Sequence, residues 1–293
     1  MKWKSGRRSD NVIDVRGGGS GGGGGGFRGG KLGLGGIAIA VVIGLLLGKS
    51  PMEMLGLVGQ FTGEPSGQVA QEGAAPPASD EAADFVRAIL GETETVWGAI
   101  FEQSGQPYQA PKLVLFSGSV SSACGSASSA SGPFYCPGDQ QVYLDMSFFQ
   151  DMQRQLGAGG DFAYAYVIAH EVGHHIQTLL GVSAEVHKAR RAGRRVEGDG
   201  GLLVRQELQA DCYAGVWAHH AEQRLRWLET GDVEEALGAA TAIGDDRLQQ
   251  QSQGVVVPDA FSHGTSEQRV RWFRTGFEAG DPARCDTFAA VAL

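Results

Sequence analysis

From residue 80 onward, apolar residues recur mostly at helical spacing. Ala83, Val86, Ile89, Leu90, Val96, Trp97 and Ile100 mark one face of a helix that opens at Ser79 and runs to Gln103, with Gly91 as a candidate break. Ser147 caps a second helix over Phe148, Phe149, Met152 and Leu156. A third runs from Asp161 to Leu180 and stops at Gly181, since glycine tolerates the left-handed backbone that ends helices. A short basic helix follows over 183–195, its charges read as a solvated face. The longest pattern runs from Leu202 to Glu229, and another from Asp232 to Gln251. After a loop at 254–264, a last helix spans 265–279 with Val270, Trp272, Phe273 and Phe277 on its apolar side. Lys112–Phe116 reads as a buried strand, and Gln141–Asp145 as a second with partial alternation. The expected fold class is therefore α+β, mostly helical with a small sheet, over residues 80–293.

The first 79 residues follow a different pattern. Residues 1–31 form a polar, basic tail that ends in a glycine tract, and 15 of the chain's 46 glycines lie before residue 37. Leu32 to Gly48 is an uncharged apolar run of 17 residues between Lys31 and Lys49, at the lower limit for a membrane-spanning helix. Residues 49–79 read as a linker rich in Gly, Pro, Ser, Gln and Ala. The first 49 residues carry +6, which leaves −15 on the remainder. The positive-inside rule then places the tail in the cytoplasm and the acidic body outside, as a single-pass protein of a bacterial inner membrane. An acidic body argues against a nucleic-acid partner. Four cysteines without a C-x-x-C fit disulfides in an oxidising compartment, with Cys124 expected to pair with Cys136 and Cys212 with Cys285.

The candidate chemistry sits on two of the helices. His170-Glu171-Val172-Gly173-His174 is an H-E-x-x-H segment, and on a helix its two histidines share one face. Both imidazoles can then hold one Zn2+ while Glu171 faces a water on it as general base. Glu207, 33 residues beyond His174, begins Glu207-Leu-Gln-Ala-Asp211. One of this i, i+4 pair can complete a two-histidine, one-carboxylate site, and the other can accept the second ring N–H of a ligand histidine. Glu207 is the expected ligand and Asp211 the outer carboxylate, with the exchanged roles open. Gly173 is expected to keep the side beside the metal clear. His175 faces about 100° from His174 and reads as an outer or surface residue, whereas His219 and His220 read as structural or surface residues.

His170-Glu-Val-Gly-His-His175 with Gln206-Glu-Leu-Gln-Ala-Asp-Cys-Tyr-Ala-Gly215 resembles the bacterial membrane-anchored neutral zinc metallopeptidase family, and more broadly the gluzincins. The segments Ala-Cys124-Gly-Ser-Ala and Gly-Pro-Phe-Tyr-Cys136-Pro carry the same resemblance. It implies a zincin-like fold acting on a peptide or protein substrate, with His170, His174 and Glu207 on zinc and Glu171 as base. It further implies His263 as a donor to the reaction's oxyanion, with Arg269 holding that loop or a substrate. It also implies a sheet edge at 141–145 or Phe134-Tyr135 that aligns the peptide. The competing reading is a zinc-stabilised, non-catalytic module of the cell envelope.

Overall fold

A computed structural model describes residues 1–16, 75–77 and 79–293. The apolar run 32–48 and most of the linker lie outside the described residues. Among the described residues, no helix is long and apolar enough to cross a membrane.

Eight α-helices and six strands make up the described fold: β1 (Val12–Asp14), α1 (Glu81–Gln103), β2 (Lys112–Phe116), β3 (Ser119–Ser122), β4 (Gly125–Ser128), β5 (Phe134–Cys136), β6 (Gln141–Asp145), α2 (Ser147–Leu156), α3 (Asp161–Leu179), α4 (Val182–Arg191), α5 (Leu202–Leu225), α6 (Asp232–Ala242), α7 (Asp245–Gln253) and α8 (Ser266–Ala279). The α+β expectation holds. The main sheet has the order β1-β2-β6-β5, with β5 alone antiparallel at one edge. β3 and β4 form a separate hairpin. The apolar run of β2 is explained by burial on both faces. Leu113 and Leu115 pack into the main helical core, while Val114 and Phe116 join Val120, Cys136 and Tyr143 in a smaller cluster. Each such fully buried side chain contributes about 1.5–3 kcal/mol.

The metal helix α3 runs through the centre, packed on α1, α5 and α6, and α8 lies along α5. Both expected disulfides form: Cys124–Cys136 ties the β3–β4 hairpin to β5, and Cys212–Cys285 ties α5 to the C-terminal segment.

Several elements differ from the sequence pattern. Residues 1–16, read as part of a tail, belong to the folded domain. Val12–Asp14 pairs in parallel with Leu113–Leu115, and Trp3 is buried in the main core. The basic residues of this segment find acidic partners on α1: Arg8 meets Asp84 at 2.7 Å and Arg16 meets Asp80 at 2.7 Å. The first long helix is capped by Asp80, whose side chain accepts from the Ala83 N–H, and not by Ser79. Gly91 does not break that helix. It lies where the backbone of Arg7 crosses, and a Cβ there would stand 2.5 Å from the Arg7 carbonyl oxygen. The helix expected from Asp232 to Gln251 is two helices. The chain turns at Gly244 because the Asp245 N–H bonds the Gly264 carbonyl at 2.9 Å, which draws the start of α7 onto the His263 loop.

Candidate metal centre

Two crossing helices build the site. α3 carries His170 and His174 one turn apart, and α5 brings Glu207 against them. Gly173 permits the approach, since a Cβ there would stand 3.0 Å from the Ala210 Cα and carbonyl oxygen. Its role is thus helix contact, not the open metal-side space expected from sequence. His170 Nε2 lies 3.2 Å from one Glu207 carboxylate oxygen and His174 Nε2 lies 3.5 Å from the other. One donor atom from each of the three residues falls within 4.8 Å of the others. Donors held about 2.0–2.1 Å from one tetrahedral zinc ion stand roughly 3.3 Å apart, so the separations fit Zn2+.

The remaining imidazole nitrogens are fixed from behind. His170 Nδ1 meets Asp211 Oδ1 at 2.8 Å, and His174 Nδ1 meets Gln177 Oε1 at 2.9 Å. A carboxylate and an amide oxygen only accept, so each histidine carries its proton on Nδ1 and turns the Nε2 lone pair towards the shared centre. Asp211 is fully buried, and it also accepts from the Tyr166 hydroxyl at 2.5 Å and from Arg269 Nε at 2.9 Å. Gln177 is held in turn by donating to the Gln206 carbonyl at 2.6 Å. Of the two assignments open in the sequence, this geometry favours Glu207 as ligand and Asp211 as its outer support.

Without a metal the cluster holds protons. Burial opposes charge on His170, but Asp211 and Glu207 outweigh it and raise the imidazole pKa to about 10. Burial likewise opposes charge on Glu207, yet the two histidines hold its carboxyl well below the usual range. Metal binding must displace these protons, so affinity weakens as pH falls.

Glu171 occupies the turn between the two histidines. It is 8% exposed, and its side chain makes no hydrogen bond to another described residue.

The comparisons with known proteins give the family of the chain. The model of the family described as "Putative neutral zinc metallopeptidase" matches residues 1–288. The chain belongs to this family. The uncharacterized protein YpfJ of Escherichia coli (strain K12) is 52% identical over 290 residues, 98% of this chain and 99% of its own. The uncharacterized protein Rv2575 of Mycobacterium tuberculosis (strain ATCC 25618 / H37Rv) is 45% identical over 219 residues, 71% of this chain and 73% of its own. No solved structure gives a significant match.

In this zinc metallopeptidase relative, His263 stands on the loop before α8 and is held by Asp245, which the sequence pattern did not single out. His263 Nδ1 lies 3.0 Å from Asp245 Oδ1. The backbone N–H groups of Ser262, His263 and Gly264 all donate to the other Asp245 oxygen, at 2.7, 2.6 and 3.1 Å. Burial opposes charge on His263, but Asp245 prevails and raises its pKa above the ordinary value. Arg269, expected at the loop or at a substrate, is 2% exposed and holds Asp211 instead. His175 is fully buried, not at the surface. His219 and His220 are structural, meeting the Phe277 and Gly280 carbonyls at 2.7 and 2.8 Å. Gln177 was also missed, although its i+3 spacing from His174 was a usable signal; Tyr166 and Asp245 carried none.

Proposed function

We propose that the chain is a zinc-dependent peptidase hydrolysing peptide bonds in protein or peptide substrates. Glu171 carries this reading: a carboxylate one residue from a candidate ligand histidine, buried, and with no side-chain partner among the described residues. A site that only stabilises a fold has no need of such a group, which weighs against the non-catalytic module. His170, His174 and Glu207 would hold Zn2+, which when bound would supply Lewis acidity and make a water more acidic. Glu171 takes the proton from the attacking water and passes it to the leaving amine. His263, oriented by Asp245, donates to the oxyanion. The open edge of β5, antiparallel to its sheet and in contact with α3, aligns the substrate as an added strand. The two disulfides favour work outside the cytoplasm, and the apolar run 32–48 suits attachment to a membrane.

The test is a mixed peptide library read by mass spectrometry. The full chain supplied with Zn2+ is expected to produce new termini, and a chelator to stop it. An unchanged library would remove the reading.

The donor role of His263 predicts a pH dependence. Its pKa is raised, so the imidazolium persists above the ordinary value near 6.5 and is lost as pH climbs through the raised value. Activity is expected to fall along that alkaline limb. His263→Gln should lower kcat/KM about tenfold to a hundredfold and abolish the limb. A limb unchanged in the variant assigns it to another group.

A further inference from the structure

We propose that His175 is a positioning residue that sets the substrate-aligning edge strand against the metal helix, an inference that rests on the peptidase reading. His175 directly follows the ligand His174 on α3, and its side chain is fully buried. Its Nε2 lies 2.6 Å from the Gln109 carbonyl oxygen and its Nδ1 lies 3.1 Å from the Tyr135 hydroxyl. A carbonyl only accepts, so the proton sits on Nε2 and Nδ1 accepts from Tyr135. Tyr135 is the central residue of β5, opposite Val142 of β6. Its ring meets the His175 ring edge-on, with centroids 5.5 Å apart. Phe134 and Cys136 face the small cluster on the far side of the sheet, so Tyr135 is the residue of β5 that turns to the metal helix.

β5 is three residues long and pairs with β6 on one side only among the described residues. So short a strand does not hold its own height. It is fixed by the Cys136 disulfide from one face and by the Tyr135–His175 bond from the other. A peptide added to its open edge inherits that height, and a displacement of about 1 Å at the scissile bond costs on the order of a hundredfold in rate. The dependence must grow with the number of substrate residues that lie along β5.

The test compares zinc-loaded wild type, His175→Ala and Tyr135→Phe, each as the full chain, on peptides from three to eight residues. Tyr135→Phe removes only the hydroxyl and keeps the packed ring, which guards against a loss of folding. Both variants are expected to retain wild-type zinc content and to lose roughly tenfold to a hundredfold in kcat on long peptides. On the shortest the loss should be less than threefold. A loss equal at every length, or no loss, overturns the proposal. A wild type that cuts none of the peptides overturns the peptidase reading beneath it.

Independently of any reaction, the packing of residues 1–16 constrains how the chain meets a membrane. We infer that residues 1–16 and 80–293 lie on one side of the bilayer. β1 is hydrogen-bonded into the same sheet as β2 and β6. Arg16 bonds Asp80 at 2.7 Å, which holds the end of the first segment against the start of the long helix. Gly91 makes room for the backbone at Arg7. Of the eight basic residues behind the positive-inside expectation, the three arginines of residues 1–16 are paired within the fold: Arg7 with Glu94, Arg8 with Asp84, and Arg16 with Asp14 and Asp80.

One epitope inserted after Gly19 and a second at the C-terminus of the full-length protein test this in spheroplasts, with an antibody that does not enter cells. Both epitopes reached, or both reached only after lysis, supports the inference. One reached and the other protected overturns it and restores a single crossing.

Discussion

Glu171→Gln is expected to keep zinc at the wild-type content and to lower turnover by about a hundredfold to ten-thousandfold. The side chain makes no hydrogen bond to another described residue, so the isosteric amide breaks nothing in the fold. The two histidines of the candidate site stay as they were, each backed by its own partner: Asp211 behind His170, and Gln177 behind His174. What disappears is the carboxylate proposed to accept a proton from the attacking water. Metal content and initial rates on one cleavable peptide check both halves of the prediction. Near-wild-type turnover with zinc retained would move the base to another residue.

Arg269→Met is expected to destabilise the fold by about 3–5 kcal/mol, because it leaves a buried carboxylate without its counter-ion. Arg269 and Asp211 are both almost wholly enclosed, and two guanidinium nitrogens reach the carboxylate at 2.9 Å each. Burial opposes charge on Asp211, and Arg269 with His170 more than offsets it, so its folded pKa lies below the ordinary carboxylate value. A depressed carboxylate pKa contributes stability that is present above the unfolded value near 4 and is lost as pH falls through the folded value. The gap between wild type and variant should therefore be full at neutral pH and shrink in acid. Arg269→Lys restores the charge without the paired nitrogens and should recover only part of the loss. Urea unfolding at pH 7 and at a pH below about 3, under the ordinary carboxylate value, measures this. A difference below about 1 kcal/mol at pH 7 would mean that Asp211 finds another partner.

The helices that carry the chemistry were legible because their signals are local. His170 and His174 share a face by spacing alone, and Glu207 and Asp211 do so one helix later. The apolar positions around them fix which side meets the core. Local spacing does not report a partner distant in the chain. Val12–Asp14 is only three residues long, lies in a polar and basic stretch, and gains its strand character from β2, a hundred residues away. Gly91 read as a weakness in a helix because the backbone that crosses it comes from residue 7. Asp245 looks like an ordinary residue of a helix's first turn until the loop at 262–264 folds onto it. Arg269 gave the opposite error: the resemblance offered it to the His263 loop or to a substrate, whereas its guanidinium is enclosed and bonds Asp211.

The central claim is that His170, His174 and Glu207 hold one zinc ion that serves peptide hydrolysis. Titrating the metal-stripped full chain with Zn2+ while following peptide cleavage tests it most directly. The account predicts activity that rises in proportion to added zinc and levels off at one ion per chain. Zinc taken up at that ratio with no cleavage of any peptide would contradict it and leave a metal-stabilised binding module in its place.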